Sequence, residues 1–148
     1  MSHDAEISLR VIGIGSPFGG DSVGFEAIER LRKERDRFPA TTELLSLDRP
    51  GSSLVPFLED AKIVVLIDAM QSGQPPGTVQ RLQLTELLAE ATHPSSHSLG
   101  VAEALALAKA LGVLPGKIFI YGIEMDESGL KTSWYSELLR LLSEDISG

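Results

Sequence analysis

The chain has 148 residues, and its 21 aspartates and glutamates outnumber its 13 lysines and arginines, which gives a formal net charge of −8. It contains no cysteine, which excludes disulfides, zinc ribbons, iron–sulfur clusters and thiol catalysis. An acidic chain lacks the basic clusters that phosphate contacts need, and this length suits one domain. We therefore predict a single domain over residues 1–148 that binds no nucleic acid.

The amino-terminal segment, Met1 to Glu6, is polar and acidic, without the basic start and apolar stretch of a secretory signal. The longest apolar run, Ile63–Ile67, is too short to span a bilayer. We expect a cytoplasmic protein with no membrane partner, and its amphipathic surface helices permit a monomer.

Apolar runs alternate with amphipathic segments along the chain, and glycine or proline falls between them. The predicted strands are Leu9–Gly15, Thr42–Leu47, Lys62–Asp68, Thr78–Leu82 and Lys117–Ile123. The predicted helices are Val23–Phe38, Gly51–Leu58, Leu99–Leu111 and Trp134–Ile146. Strands that alternate with helices imply an α/β fold, a three-layer α/β/α sandwich on a mostly parallel (mixed) sheet of about five strands.

Three segments also predict their own surroundings. Lys62–Asp68 is nearly all apolar and β-branched, which is typical of a central strand covered on both faces. Thr78–Leu82 follows a short turn, so it either pairs antiparallel with the strand before it or lies at an edge. Leu99–Leu111 is apolar nearly all round, which predicts a mostly buried helix with Ser98 as N-cap and Gly112 as C-cap.

A glycine-rich segment, Gly13–Gly24, follows the first predicted strand. A dinucleotide-binding loop would need glycine where Phe18 stands, and a P-loop would need lysine after Gly20, where Asp21 stands. A carboxylate has the wrong charge for a docked phosphate, which disfavours nucleotide binding. The glycines are equally consistent with a tight strand-to-helix turn, and Asp21 with a helix N-cap.

Three ionisable residues are expected at one edge of the sheet, because sites in open parallel sheets form beyond the carboxyl ends of the strands. Asp21 follows the first strand, Asp68 ends the third, and His97 directly precedes a helix. An aspartate is costly to bury unpaired, which favours a functional Asp68, whereas His97 is either a structural histidine or a ligand. Two carboxylates and one imidazole suit nickel, zinc or iron with open positions. His93, which precedes a proline, is expected to be solvent-exposed.

Five short segments occur in an order and at intervals that carry a family resemblance. They are Gly13–Gly24, Ile67–Met70, Pro76–Thr78, Ser96–Gly100 and Tyr121–Glu124. The set resembles the hydrogenase maturation proteases, endopeptidases that trim the C-terminal extension of the nickel–iron hydrogenase large subunit. The match runs from residue 9 to residue 142.

The resemblance implies an enzyme that acts on the large-subunit precursor after nickel has been inserted. It places catalytic and metal-contacting roles on Asp21, Asp68 and His97, with nickel supplied by the precursor and zinc or another divalent ion able to replace it in the isolated protein. It also implies a supporting role for Asp48 behind these ligands. Arg49-Pro50 stands where the family usually has glycines, and Gly20 precedes Asp21 where many members have two adjacent acids.

Other functions are compatible with parts of the same pattern. A metal-dependent chaperone or binding module would use the same three residues without cleaving anything. A peptidyl-tRNA hydrolase-like enzyme would need a basic groove, which the charge of −8 argues against. A nucleotide-binding domain would need the phosphate loop that the glycine-rich segment does not match.

Overall fold

The computed structural model describes residues 6–17, 21–92, 101–125 and 133–147. Its strands are β1 Ile7–Gly15, β2 Thr42–Asp48, β3 Ala61–Met70, β4 Val79–Leu82 and β5 Lys117–Glu124. Its α-helices are α1 Val23–Arg32, α2 Leu84–Thr92, α3 Ala102–Leu111 and α4 Trp134–Ser147. Two 3-10 helices lie at Arg35–Arg37 and Gly51–Leu58.

The five strands form one sheet in the order β2-β1-β3-β5-β4. The first four of these strands are parallel, and β4 pairs antiparallel with β5 at the edge. The predicted mixed sheet of an α/β fold is therefore confirmed. β4 lies at an edge of the sheet, which confirms one of the two interpretations of Thr78–Leu82. Its antiparallel partner is β5 rather than the preceding strand, β3.

Each face of the sheet carries its own apolar core, which confirms the three layers. On one face, Val65 and Ile67 of β3 pack in a cluster with α1 and α4. On the other face, Val64 and Leu66 pack in a cluster with the 3-10 helix Gly51–Leu58, α2 and α3. All four of these β3 side chains are fully buried, which explains why this strand is continuously apolar.

Some elements differ from their predicted form. α1 ends at Arg32 and not at Phe38, because Leu31 is its last buried residue. Phe38 is extended, as a residue before a proline tends to be. The structure contains a helix that was not predicted, α2, whose leucines have helical spacing in the sequence. Leu87 of this helix is 3% exposed.

The helix α3 also corrects the prediction. It begins at Ala102 with Val101 as its N-cap, so the prediction of Ser98 as the N-cap is wrong. Gly112 caps its carboxyl end in the left-handed conformation (φ 74°), as predicted. Leu107 and Leu111 are 41% and 61% exposed, so this helix is buried on one face only.

Candidate functional site

The loop between β1 and α1 begins the site, and glycines let the start of α1 lie directly against the sheet. A Cβ on Gly24 would lie 2.4 Å from the Ile14 carbonyl oxygen, and one on Gly13 would lie 2.1 Å from the Gly24 carbonyl oxygen. Gly15 has φ +150°, and its Cβ would lie 2.1 Å from the carbonyl oxygen of Asp21. These contacts show that the start of α1 lies against β1, and they place Asp21 against the end of that strand.

Asp21 is held by a hydroxyl group and an arginine. The Ser16 hydroxyl donates to Oδ1 at 2.8 Å, and Nη2 of Arg49 lies 3.5 Å from Oδ2. The Ser16 hydrogen bond is the main cause that lowers the pKa of Asp21, and Arg49 adds to it. The N-cap of α1 is Ser22, so the N-cap interpretation of Asp21 is wrong. Asp21 is an ionised carboxylate whose side chain is 34% exposed.

Asp68 lies near the carboxyl end of the central strand, β3. The strand continues for two residues beyond it, because Ala69 and Met70 also pair with β5. Asp68 is only 8% exposed, and its Oδ1 accepts a hydrogen bond from the Ala69 N–H at 2.8 Å. The pKa of Asp68 is raised to about 7, mainly because the carboxyl group is buried; the Ala69 hydrogen bond lowers it in part, and the charge of Asp21 adds a smaller increase. Near neutral pH this carboxyl group is therefore divided between its protonated and ionised forms.

The structure brings two of the three predicted ligands into one electrostatic environment. The negative charge of Asp21 is the smallest of the three causes that shift the pKa of Asp68. A divalent cation between such carboxyl groups would displace the proton of Asp68, since ligands must be deprotonated to bind. His97 and His93 lie outside the described residues, and within the described ranges no three His, Asp or Glu side chains form a metal-binding group. The described oxygen donors fit a first-row divalent ion that also takes an imidazole nitrogen.

Asp48 lies at the same edge of the sheet, as the last residue of β2. It is opposite Gly15 in the β1–β2 register, and its side chain is exposed. In the described part of the chain, no hydrogen bond or ion pair links Asp48 to Asp21 or Asp68. Arg49, the next residue, makes the contact with Asp21 instead.

Glu124 is a buried carboxylate that the sequence analysis did not single out as a functional residue. It ends β5, it is 7% exposed, and it lies opposite Met70 in the register. Its carboxylate accepts hydrogen bonds from the Ser72 N–H at 3.0 and 3.2 Å and from the Ser72 hydroxyl at 2.7 Å. An acidic residue at the end of an apolar strand is the sequence pattern that favoured a functional role for Asp68. The same pattern occurs at Glu124.

A groove of about 430 Å³ adjoins the loop that carries Asp21. Its lining residues are Pro17, Ser22, Phe25, Glu26, Glu29 and Arg30. The guanidinium of Arg30 also lies 5.1 Å from the centre of the Trp134 ring, which ties α1 to α4 beside the groove.

No helix in the part of the chain that the structure describes is both long and apolar enough to cross a bilayer.

Comparison with known proteins identifies relatives of one kind. Residues 25–144 match the family model described as HycI, hydrogenase maturation protease. The hydrogenase expression/formation protein HupD of Thiocapsa roseopersicina is 33% identical over 135 residues, which are 87% of this chain and 60% of that protein. HupD of Rhodobacter capsulatus is 30% identical over 125 residues, which are 80% of this chain and 59% of that protein. The chain thus spans about three fifths of the length of these curated relatives.

Solved structures share the fold. The hydrogenase maturating endopeptidase HybD from E. coli has 22% identity and a TM-score of 0.69, with 94% of each chain covered. The [NiFe] hydrogenase maturation protease HycI from Thermococcus kodakarensis has 20% identity and a TM-score of 0.63, with 98% of this chain and 96% of the other covered. At these identities the likeness establishes the architecture, and the sequence matches establish the kinship.

Proposed function

Because this chain belongs to the hydrogenase maturation protease family, we propose that it is an endopeptidase that trims the C-terminal extension of a nickel–iron hydrogenase large-subunit precursor. In this proposal the precursor is recognised after nickel insertion, and the nickel is part of the substrate. Asp21, Asp68 and His97 bind that nickel and bring the scissile peptide bond to the site.

The state of Asp68 is the observation that carries the proposal. A buried carboxyl group with one described hydrogen bond and an anionic neighbour is unfavourable for the fold alone. A cation would stabilise both aspartates at once, and perturbed carboxyl groups of this kind cluster at functional sites. Nickel accepts oxygen and nitrogen ligands together, so an imidazole from His97 would complete the set.

The residues of the chain then act by binding and orientation. Asp68 gives up its proton when the cation enters, and Asp21, which is already ionised, binds without a proton change. Nickel bound in this way can polarise the peptide carbonyl group or activate a water molecule. A precursor without nickel would leave the two carboxyl groups unpaired, which disfavours its binding.

A peptidase also needs a surface for the polypeptide that it cuts. The groove along α1 starts at Pro17 and Ser22, which flank the loop of Asp21 in the chain. An extended precursor segment that leaves the metal site would enter this groove. Its location supports a polypeptide substrate.

The test is to incubate the purified protein with nickel-loaded and nickel-free precursor and to follow the C-terminal extension by intact-mass spectrometry. We expect the loaded precursor to be trimmed at least ~100-fold faster, because recognition depends on the metal ligands. His97→Ala should abolish trimming, whereas Asp36→Asn, at an exposed position of the 3-10 helix before β2, should not affect it.

Two results would contradict the proposal. Equal trimming of loaded and nickel-free precursor would remove nickel from recognition, and unchanged trimming by His97→Ala would remove His97 from the site. A precursor that binds but stays intact would instead identify a metal-dependent chaperone.

A further inference from the structure

Arg49 is a cation placed beside a carboxylate that the proposed function needs for nickel. Its side chain is 72% exposed, and Nη2 lies 3.5 Å from Oδ2 of Asp21. Because the Ser16 hydroxyl already occupies Oδ1, Arg49 faces the oxygen of Asp21 that a metal ion would take. In the described part of the chain, no other basic side chain forms an ion pair with Asp21 or Asp68.

The backbone holds Arg49 at this position in a conformation that glycine adopts more easily. Its φ is +43°, in the left-handed region that side chains with a Cβ rarely occupy. Its N–H donates to the Gly15 carbonyl oxygen at 2.9 Å, so it is tied to the same turn that positions Asp21. A strained residue that persists where glycine would relieve the strain indicates a role for its side chain.

The contact itself is weak and open to solvent. A separation of 3.5 Å is at the outer limit of a hydrogen bond, and exposed ion pairs contribute little to stability. The side chain can therefore leave Asp21 at small cost while the backbone bond to Gly15 stays in place. Such a contact suits a group that is displaced during binding better than one that stabilises the loop.

We infer that Arg49 is a displaceable counter-ion that keeps free divalent cations away from Asp21 and yields this carboxylate to nickel delivered by the precursor. The inference rests on the proposed function in one respect, which is that Asp21 is a metal ligand. A free cation must displace the guanidinium of Arg49, and only the ligands of the site then hold that cation. Nickel carried by a precursor is also held in place by the contacts between the precursor and this protein. The same repulsion therefore does not prevent its binding.

The experiment measures binding of Zn²⁺ and Ni²⁺ to the isolated full-length chain by titration calorimetry at pH 7. Arg49→Gln should tighten binding by about 3- to 10-fold, because one positive charge is removed next to the ion in a partly solvated site. Arg49→Lys, which keeps the charge, should stay within about twofold of the parent protein. Lys62→Gln removes an exposed cation near the amino end of β3, opposite the site, and controls for overall charge.

A double-mutant comparison ties the effect to Asp21. In an Asp21→Asn background the additional change Arg49→Gln should tighten binding by less than it does in the parent protein, since competition for Asp21 is gone and only the direct repulsion of the ion remains. The same repulsion should appear as inhibition: free Zn²⁺ should block trimming by Arg49→Gln at a concentration about 3- to 10-fold lower than for the parent protein.

The inference is overturned if Arg49→Gln binds both ions with the affinity of the parent protein, or if Lys62→Gln tightens binding as much. It is also overturned if neither protein takes up metal, because removal of a counter-ion must expose a cation site. These outcomes concern the binding of free ions, whereas the proposed function is tested by the trimming of nickel-loaded and nickel-free precursor, so the two failures can be told apart.

Discussion

Asp68 and Glu124 are two buried carboxyl groups at the carboxyl ends of adjacent parallel strands, yet the fold treats them in opposite ways. Glu124 accepts hydrogen bonds from the backbone and the hydroxyl of Ser72 and thereby fixes the segment after β3. Asp68 accepts a bond from its neighbour Ala69 and is exposed to the negative charge of Asp21. The fold supplies partners for Glu124, whereas in the proposed function a bound metal ion would satisfy Asp68.

The largest expected difference between the two acids is in catalysis. Asp68→Asn should slow the trimming of nickel-loaded precursor by at least ~100-fold, because in the proposed function Asp68 is a metal ligand. Glu124→Gln keeps a hydrogen-bond acceptor near Ser72 and should slow trimming by less than about 10-fold. The measurement is the initial rate of trimming per folded enzyme, with the folded fraction taken from circular dichroism. A similar loss of trimming rate in the two variants would mean that Asp68 and Glu124 do not differ in their importance for catalysis.

The second difference is in stability, and it has the opposite sign for the two residues. Because burial raises the pKa of Asp68 from 3.8 to about 7, ionised Asp68 destabilises the fold above neutral pH. Asp68→Asn should therefore raise the free energy of unfolding at pH 8 by about 1–4 kcal/mol. Glu124→Ala removes the acceptor of the hydrogen bonds from the Ser72 N–H and hydroxyl and should lower that free energy by about 1–3 kcal/mol.

The pH dependence checks the cause of this effect. Between pH 4 and 7 the folded protein binds more protons at Asp68 than the unfolded chain does, so this residue makes stability fall as pH rises and then level off above its folded-state pKa. Asp68→Asn should remove that part of the slope. Urea denaturation of the parent protein and the variant at pH 5, 6, 7 and 8 measures it, and parallel curves would contradict the raised pKa.

The sequence predicted the sheet well because its signals are local. The apolar run in β3 and the glycine that caps α3 at Gly112 each act within their own segment. The leucines of α2 have equally local helical spacing, so the sequence also contained the signal for this helix. The helix α1 ends soon after Leu31, its last buried residue, and the sequence pattern alone, which predicted a helix to Phe38, does not reveal this.

Site residues could be predicted from the sequence only where a residue is chemically unusual for its position in a strand. Asp68 stands out as an acid in an apolar strand, whereas Asp21 was equally compatible with an N-cap until the Ser16 and Arg49 contacts were seen. Arg49 stands out in the sequence only as a departure from the family's glycines, and its contact with Asp21 depends on a strand register that brings the end of β2 beside Gly15. His97 lies outside the described residues and stays a prediction.

The most direct test of the central claim is anomalous diffraction from crystals of this protein soaked in Ni²⁺. We expect one nickel peak whose ligands are a carboxylate oxygen of Asp21, a carboxylate oxygen of Asp68 and a ring nitrogen of His97, each about 2 Å from the ion. A peak elsewhere would contradict the account, as would any of these three side chains held more than about 8 Å from the ion, since first-row metal–ligand bonds are about 2 Å long.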